Sequence, residues 1–389
     1  MAHICIVNGI GDTVVRFRGA LIASLVREGH TVVLSTPHGE EVSDASIQAE
    51  VEALGAACSF SPLERTSLNP RRDRLAIEHW RKLFATHRFD AVLVTNPKPV
   101  FHAVRVARAA GVPRVVAMIT GLGYAFTARG FKPRILREIA GWLYARALRD
   151  ADLVLFQNQD DRCMLATRGA DLPDARCGEI GGSGVDLAAF PAMPIPLGAP
   201  TILMVARLLV DKGVREFVEA ARIVKRARAD AHFRLVGWID SNPSAISRAE
   251  LDAWVAEGII EFVGRLDDVR PELAKCTMFT LPSYREGTPM SVLEALATGR
   301  PIITTDAPGC RETVQLKPSP NGILVPARNA QALADAILLL LGRSAPDLAW
   351  MGAASRALAQ ERFDVRKVNA TIHRALLYPL PAASGDEHT

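Results

Sequence analysis

Met278-Phe279-Thr280-Leu281-Pro282-Ser283-Tyr284-Arg285-Glu286-Gly287-Thr288-Pro289-Met290-Ser291-Val292-Leu293-Glu294-Ala295-Leu296-Ala297-Thr298-Gly299-Arg300-Pro301 runs from a short apolar strand through a glycine-bearing loop into a helix. The helix has proline in its first turn and Gly299 as its stop. The β-branched run 302–305 follows as the next strand. Outward from this unit the same alternation recurs. Strand-like runs at 201–205, 233–236, 260–263 and 323–325 are separated by amphipathic helical stretches, and so are 4–7, 32–35, 91–95, 115–119 and 153–156 nearer the N-terminus. Strands alternating with helices predict an α/β protein with parallel sheets covered by helices. Within the first helical stretch, Phe17, Leu21, Leu25 and Val26 share one face, and Gly29 stops the helix.

A stretch rich in Gly and Pro, 181–200, interrupts the alternation and reads as a linker between two Rossmann-like halves. The expected domains are 1–190, 191–363 and a last helix in 364–379 that crosses back to the N-terminal half, followed by a frayed polar tail. With 389 residues, 49% of them hydrophobic and 23% charged, two domains fit, and wholesale disorder, collagen and a disulfide-held mini-protein are excluded. No apolar run approaches the roughly 18–20 residues of a membrane span. The start, Met-Ala-His-Ile-Cys-Ile-Val, lacks the parts of a signal peptide, so the expected location is cytoplasmic. The six cysteines are scattered and read as reduced thiols.

Charge is uneven. Between Arg65 and Arg149 there are 17 Lys/Arg against 4 Asp/Glu, a net +13, so a chain whose total is +4 carries −9 elsewhere. A basic N-terminal face suits an anionic membrane, a phosphate-bearing substrate or nucleic acid. Within it Arg129, Lys132, Arg134, Arg137, Arg146 and Arg149 surround Phe131, Ile135, Leu136, Ile139, Trp142, Leu143 and Tyr144. That amphipathic pattern fits a helix lying on an anionic membrane surface; the alternative is a helix whose apolar side packs inward beneath solvated arginines. Aromatic residues spaced as a stacking platform are missing from the segment, so no nucleic-acid partner is expected.

Several motifs carry chemistry. The first strand leads through Asn8-Gly9-Ile10-Gly11-Asp12-Thr13 into a helix, where backbone N–H groups can meet an anion. The dinucleotide fingerprint is incomplete, with Val14 at the third glycine position and no acid after the second strand, which disfavours an NAD-dependent oxidoreductase. Arg207 closes a strand and Lys212 opens the following helix, so both cations sit at the carboxyl edge of a sheet and suit a diphosphate. Glu286 before a helix and Glu294 within it can take the hydroxyls of a sugar and a ribose, and the Met290 and Ser291 N–H groups are open to phosphate. Asp150-Ala151-Asp152 spells a DxD but lies where a helix enters a strand and reads as structural.

Over nearly its whole length the sequence resembles glycosyltransferase family 4, through 8–11, Gly182-Ser183-Gly184-Val185-Asp186, Arg207 with Lys212, Phe262-Val263-Gly264-Arg265, and the stretch from Glu286 to Glu294. The resemblance implies a GT-B fold, two Rossmann-like domains with parallel sheets facing across an interdomain cleft, and transfer with retention from a nucleoside diphosphate sugar, UDP-linked by expectation. It implies that Arg207 and Lys212 bind the donor diphosphate, that Glu286 lies at the transferred sugar and that Glu294 holds the ribose. Gly9, Gly11, Gly264, Arg265, Gly287, Thr288, Pro289, Met290 and Ser291 complete the implied donor site, with Arg207, Lys212 and Glu286 catalytic. No metal or other cofactor is implied.

The histidine that many members carry after the strand 115–119 is replaced by Thr120-Gly121-Leu122-Gly123, and His102 reads as an ordinary helix residue. Together with Lys98 and Phe156-Gln157-Asn158-Gln159-Asp160-Asp161, this is similar to the subgroup that extends polyprenyl-diphosphate-linked sugars in bacterial surface polysaccharide or glycoprotein assembly. Lys98, Thr120, Gly121, Leu122 and Gly123 are then the expected acceptor residues, and the inner face of the cytoplasmic membrane the expected place of work. A soluble acceptor is the alternative.

Overall fold

The computed structural model describes residues 1–378 apart from 66, 68, 124, 125, 127–129, 241 and 243 and the side chain of Lys132. It divides into two compact units, Met1–Ser183 joined by the segment that begins at Arg366, and Gly184–Val365.

In chain order the first unit contains β1 (His3–Val7), α1 (Val14–Arg27), β2 (Thr31–Pro37), α2 (Asp44–Ala53), β3 (Ala57–Ser61), α3 (Pro70–Thr86), β4 (Ala91–Thr95), α4 (Pro97–Ala109), β5 (Arg114–Ile119), α5 (Phe131–Leu148), β6 (Leu153–Phe156), α6 (Gln159–Ala166) and β7 (Cys177–Glu179). Its sheet has the order β3-β2-β1-β4-β5-β6-β7, and its strand pairings are parallel. The central strands are buried on both faces, as parallel sheets require. Cys5 and Val7 of β1 pack with residues of α3, α4 and α5, and the alternate Ile4 and Ile6 pack with residues of α1 and α2.

The second unit contains β8 (Thr201–Val205), α7 (Val214–Ala227), β9 (His232–Val236), α8 (Arg248–Ala256), β10 (Glu261–Gly264), α9 (Arg270–Lys275), β11 (Met278–Leu281), α10 (Met290–Thr298), β12 (Ile302–Thr305), β13 (Gly322–Val325), α11 (Ala330–Leu341) and α12 (Ala345–Leu358). The order β10-β9-β8-β11-β12-β13, again parallel, is doubly wound. The order reverses between β8 and β11, and in the first unit between β1 and β4. Ligands of open α/β sheets settle beside the carboxyl ends of such strand pairs.

α13 (Val365–Leu377) leaves the second unit and, from Arg366 on, belongs to the first. Its buried Val368, Ile372 and Leu376 join the cluster of Ile4 and Ile6, the Arg114 Nε donates to the Ala375 carbonyl at 2.7 Å, and His373 Nδ1 lies 3.0 Å from a Glu28 carboxylate oxygen.

Three details differ from the reading of the sequence. The first unit ends at Ser183 rather than near 190, because the Pro-rich stretch is pinned to the second unit: Arg356 donates to the carbonyls of Phe190 and Leu187, and the buried Arg300 to that of Pro194. The buried face of α1 is Val14, Arg18, Gly19, Leu21, Ile22 and Leu25, with Phe17 and Val26 only partly covered, so a guanidinium shares the buried face with aliphatic side chains. Burial lowers the Arg18 pKa to about 10. Finally, β3 and β7 are additional edge strands. Among the described residues no helix is long and apolar enough to cross a membrane.

Candidate active site

Four loops converge at the carboxyl edge of the second sheet. After β8 the chain makes one tight turn, Val210–Lys212, closed by Gly213 in the left-handed region (φ 75°). A Cβ on Gly213 would stand 2.2 Å from the Pro282 carbonyl oxygen, so glycine is what lets the loops after β8 and β11 touch. The Tyr284 N–H then donates to the Asp211 carbonyl at 2.8 Å. Gly309, in the loop after β12, has φ 78°, and a Cβ there would meet the Glu286 carbonyl at 2.2 Å. The Glu286 N–H donates to the Pro308 carbonyl at 2.9 Å. Glu286 is therefore clamped from both sides by backbone.

The Lys212 ammonium lies 2.5 and 2.6 Å from the two Glu286 carboxylate oxygens, and the Ser283 hydroxyl donates to one of them at 2.8 Å. Both charged side chains are largely buried. Arg207, more open, donates from one terminal nitrogen to the buried Asp240 at 2.9 Å. Each cation at the switch point thus has a carboxylate of its own, an arrangement that fixes geometry while sharing charge. The Tyr284 hydroxyl donates to Glu216 at 2.6 Å, tying the loop after β11 to the first turn of α7, and the Arg328 guanidinium covers its ring at 4.1 Å. Burial and the Glu216 carboxylate push the Tyr284 pKa well up, so it stays a hydrogen-bond donor. Cys310 touches the Ser283 carbonyl, and its thiol is pushed up to about 12 by burial first and by Glu286 second.

α10 starts at Met290 with Pro289 as its cap, and no side chain caps it. Its first N–H groups thus point out of the helix start beside Glu286 without an intrahelical acceptor. Gly287, Thr288, Met290 and Ser291 occupy the same short loop and helix start. Glu294 lies in the second turn and is buried. Gly264, with φ 87° and open space where a Cβ would be, accepts from the Gly237 N–H at 2.9 Å, and the Arg265 guanidinium sits 4.9 Å from the Trp238 ring centre. The structure brings Arg207, Lys212, Glu286 and the start of α10 to one sheet edge. Gly264 and Arg265 join it through the neighbouring β9 and β10 ends.

Gly9 and Gly11 belong to the first unit, at its own switch point. A Cβ on Gly11 would collide with the Pro37 and His38 carbonyl oxygens (2.7 and 2.9 Å), and one on Gly9 would press on Asn96 and Pro99. Close packing explains both. Asn96, at positive φ (71°), accepts from the Gly9 N–H at 3.0 Å and donates to the Thr120 hydroxyl at 3.1 Å, linking the ends of β1, β4 and β5. Gly121 and Gly123 have positive φ, and Leu122 is buried in the core. Lys98 donates to Asp73 and to the Glu64 carbonyl, both at 2.8 Å, with His102 Nε2 3.6 Å from the other Asp73 oxygen. Burial would raise the Asp73 pKa, but the His102 ring and Lys98 more than offset it and hold the carboxyl below its usual range. In the DxD triplet Asp152 pairs with Arg108 at 2.6 Å and caps the Val115 N–H at 2.7 Å, and Asp150 faces Arg105 at 3.4 Å.

Asp240, Tyr284, Gly213 and Gly309 were not among the expected site residues. The two glycines carry a signal, since Gly213 directly precedes the start of α7 and Gly309 stands in the loop after β12, where loops must meet.

Two doubly wound units, one with paired cations and an open helix start at its switch point, make an α/β architecture whose second sheet edge is suited to a phosphorylated ligand. Residues 13–178 match the family described as "Glycosyl transferase 4-like domain" and residues 199–343 that described as "Glycosyl transferases group 1", and the chain belongs to these glycosyltransferases. It is 29% identical over 346 residues to the N,N'-diacetylbacillosaminyl-diphospho-undecaprenol alpha-1,3-N-acetylgalactosaminyltransferase of Campylobacter jejuni, covering 85% of this chain and 87% of that one. It is 25% identical over 264 residues to the UDP-Gal:alpha-D-GlcNAc-diphosphoundecaprenol alpha-1,3-galactosyltransferase of Escherichia coli, covering 64% and 66%. Its fold is like that of sucrose-phosphate synthase from Thermosynechococcus elongatus, with TM-score 0.79 and 19% identity over 96% and 98% of the two chains. The two units are thus those of a GT-B glycosyltransferase.

Proposed function

We propose that this glycosyltransferase moves a sugar, with retention of anomeric configuration, from a UDP-sugar to a saccharide carried on polyprenyl diphosphate, in the assembly of a surface polysaccharide or glycan. The observation that carries the reading is the Lys212 to Glu286 pair beside Arg207 and the start of α10. The names of both relatives supply the acceptor class, and that of the Escherichia coli enzyme the UDP-linked donor.

The donor diphosphate lies against Arg207, Lys212 and the Met290 and Ser291 N–H groups. These stabilise the negative charge that develops as the bond between the anomeric carbon and the phosphate oxygen breaks. The acceptor oxygen bonds to that carbon on the same face, and its proton passes to the departing phosphate oxygen, so no side-chain base is required. Glu286, fixed by Lys212 and Ser283, orients the sugar hydroxyls, and Glu294 receives the ribose. The positive charge comes from the protein, and no metal is assigned to the step. The first unit takes the acceptor at the ends of β4 and β5, near Thr120 and the glycines 121 and 123. Lys98, already bound to Asp73, shapes that edge.

The reading also places the enzyme peripherally on the anionic inner face of the cytoplasmic membrane. Along α5, Phe131, Ile135, Ile139 and Trp142 fall on one side at helical spacing, and all four are exposed, Phe131 by 78%. Tyr144 and Leu148 on the opposite side are buried in the core. Arg134, Arg146 and Arg149 are exposed beside the apolar stripe, whereas Arg129 lies outside the described residues. An exposed apolar stripe edged by cations is suited to the boundary of an anionic bilayer.

The deciding experiment is a thermal-shift and mass-spectrometric screen against UDP-, GDP- and dTDP-sugars. Stabilisation by a UDP-sugar, lost in Glu294→Ala, is expected. Failure of every nucleotide sugar and of free UDP to bind would overturn the reading.

A further inference from the structure

We infer that Asp240 is a positioning residue that sets the Arg207 guanidinium for a diphosphate, with the described residues of the loop after β9, Gly237, Trp238, Asn242, Ser244 and Ile246, as its mount. The inference rests on the role proposed above for Arg207. Asp240 is the less exposed partner, its side chain 6% accessible against 34% for Arg207. One of its oxygens accepts from Arg207 at 2.9 Å, and the other accepts from the Asn242 N–H at 2.8 Å, so its own loop fixes the plane of the carboxylate. That loop is zipped to the segment that carries both cations. The Leu208 N–H donates to the Trp238 carbonyl and the Val210 N–H to that of Ser244, each at 2.9 Å, and the Ile246 N–H donates to the Leu208 carbonyl at 2.8 Å. At its root, Gly237 (φ 153°) has no room for a Cβ, which would stand 1.8 Å from the Ala206 carbonyl oxygen.

A carboxylate beside a diphosphate-binding cation weakens the attraction for an anion, so its benefit is geometric. Held by one nitrogen, the guanidinium loses its rotamer freedom before a ligand arrives, and its remaining N–H donors stay on the open side.

The test uses UDP and uridine with the wild type, Asp240→Asn, Arg207→Ala and the double variant, each first checked for an unchanged melting transition. Asp240→Asn keeps the size of the side chain and an acceptor for Asn242, which guards against misfolding. The expected result is UDP binding weakened about tenfold in Asp240→Asn. Uridine binding, followed by ligand-observed NMR, stays unchanged, and Asp240→Asn adds less than about twofold in the Arg207→Ala background. UDP affinity that is unchanged or tighter, equal losses for UDP and uridine, or fully additive losses would each overturn the positioning role. A wild type that binds UDP, GDP and dTDP no better than uridine would overturn the diphosphate reading itself, a failure visible before any variant is made.

Discussion

Lys212 and Glu286 are 74 residues apart in sequence, yet the ammonium reaches both carboxylate oxygens, at 2.5 and 2.6 Å. The pair spans the point where the strand order of the second sheet reverses, so it joins the two loops between which a ligand of this fold settles. It also means that neither charge acts alone: a ligand phosphate that meets Lys212 meets an ammonium whose position Glu286 has set.

The coupling is measurable without any substrate. With side chains only 15% and 12% exposed, removing Lys212 leaves a largely buried carboxylate that keeps the Ser283 hydroxyl but has lost its ammonium. In urea unfolding, Lys212→Ala should cost more than Lys212→Ala with Glu286→Gln, with a coupling energy of about 1–3 kcal/mol. Additive effects would show that the pair is not formed in solution. In turnover, Lys212→Ala should lose about 100-fold or more, as expected for a group that stabilises developing charge.

The glycines that let the loops meet separate steric from conformational cost. Gly213 and Gly258 have nearly the same φ, 75° and 72°, but a Cβ on Gly213 would overlap the Pro282 carbonyl, whereas one on Gly258 meets nothing within 4 Å. Gly258→Ala should therefore cost only the left-handed penalty of about 1–2 kcal/mol and leave activity intact. Gly213→Ala should cost more and should also reduce turnover at least tenfold, because Lys212 immediately precedes it. Equal stability losses would mean that the loops can move apart freely.

Much of this was legible from the residues. The strands at 91–95, 153–156, 201–205, 278–281 and 302–305 stand where their apolar runs lie, because both faces of a central parallel strand are buried. β3 and β7 were not legible for the converse reason: they are edge strands, mostly half-buried, and their sequences Ala-Cys-Ser-Phe-Ser and Cys-Gly-Glu carry no apolar run. The burial of Arg18 was not legible, since the face of α1 was read from its apolar residues alone. The placement of Arg207, Lys212 and Glu286 at one sheet edge was legible because strand ends and helix starts locate them. Asp240 was not, since its role arises only when the loop after β9 folds against the loop after β8.

Asp73 gives the first unit a pH signature. Its folded pKa is depressed, so the stability it contributes is fully present above the unfolded carboxyl value near 4 and is lost as pH falls through the lower folded value. Asp73→Asn should therefore be less stable than the wild type at pH 7, and the difference should shrink as pH falls below about 4. The measurement is chemical denaturation of both proteins at a series of acid pH values. A difference that stays constant down to pH 3 would remove the carboxylate from the account. Since the same carboxylate holds Lys98, Lys98→Met is expected to lower stability before it affects acceptor recognition.

The exposed stripe of α5 makes a claim that salt can divide into two parts. Electrostatic attraction of Arg134, Arg146 and Arg149 to anionic headgroups is screened as ionic strength rises, whereas burial of Phe131, Ile135, Ile139 and Trp142 in the acyl boundary is not. At about 1 kcal/mol per cation, replacing the three arginines by glutamine should weaken sedimentation with phosphatidylglycerol-containing vesicles by about two orders of magnitude at low salt, and by far less at high salt. Replacing the four apolar residues by serine should instead remove the binding that persists at high salt. Because these side chains are exposed, neither set should lower the melting temperature of the free protein much. If both variants sediment like the wild type, α5 is not the membrane face. If the serine variant loses several degrees of stability without vesicles present, the stripe serves the fold instead.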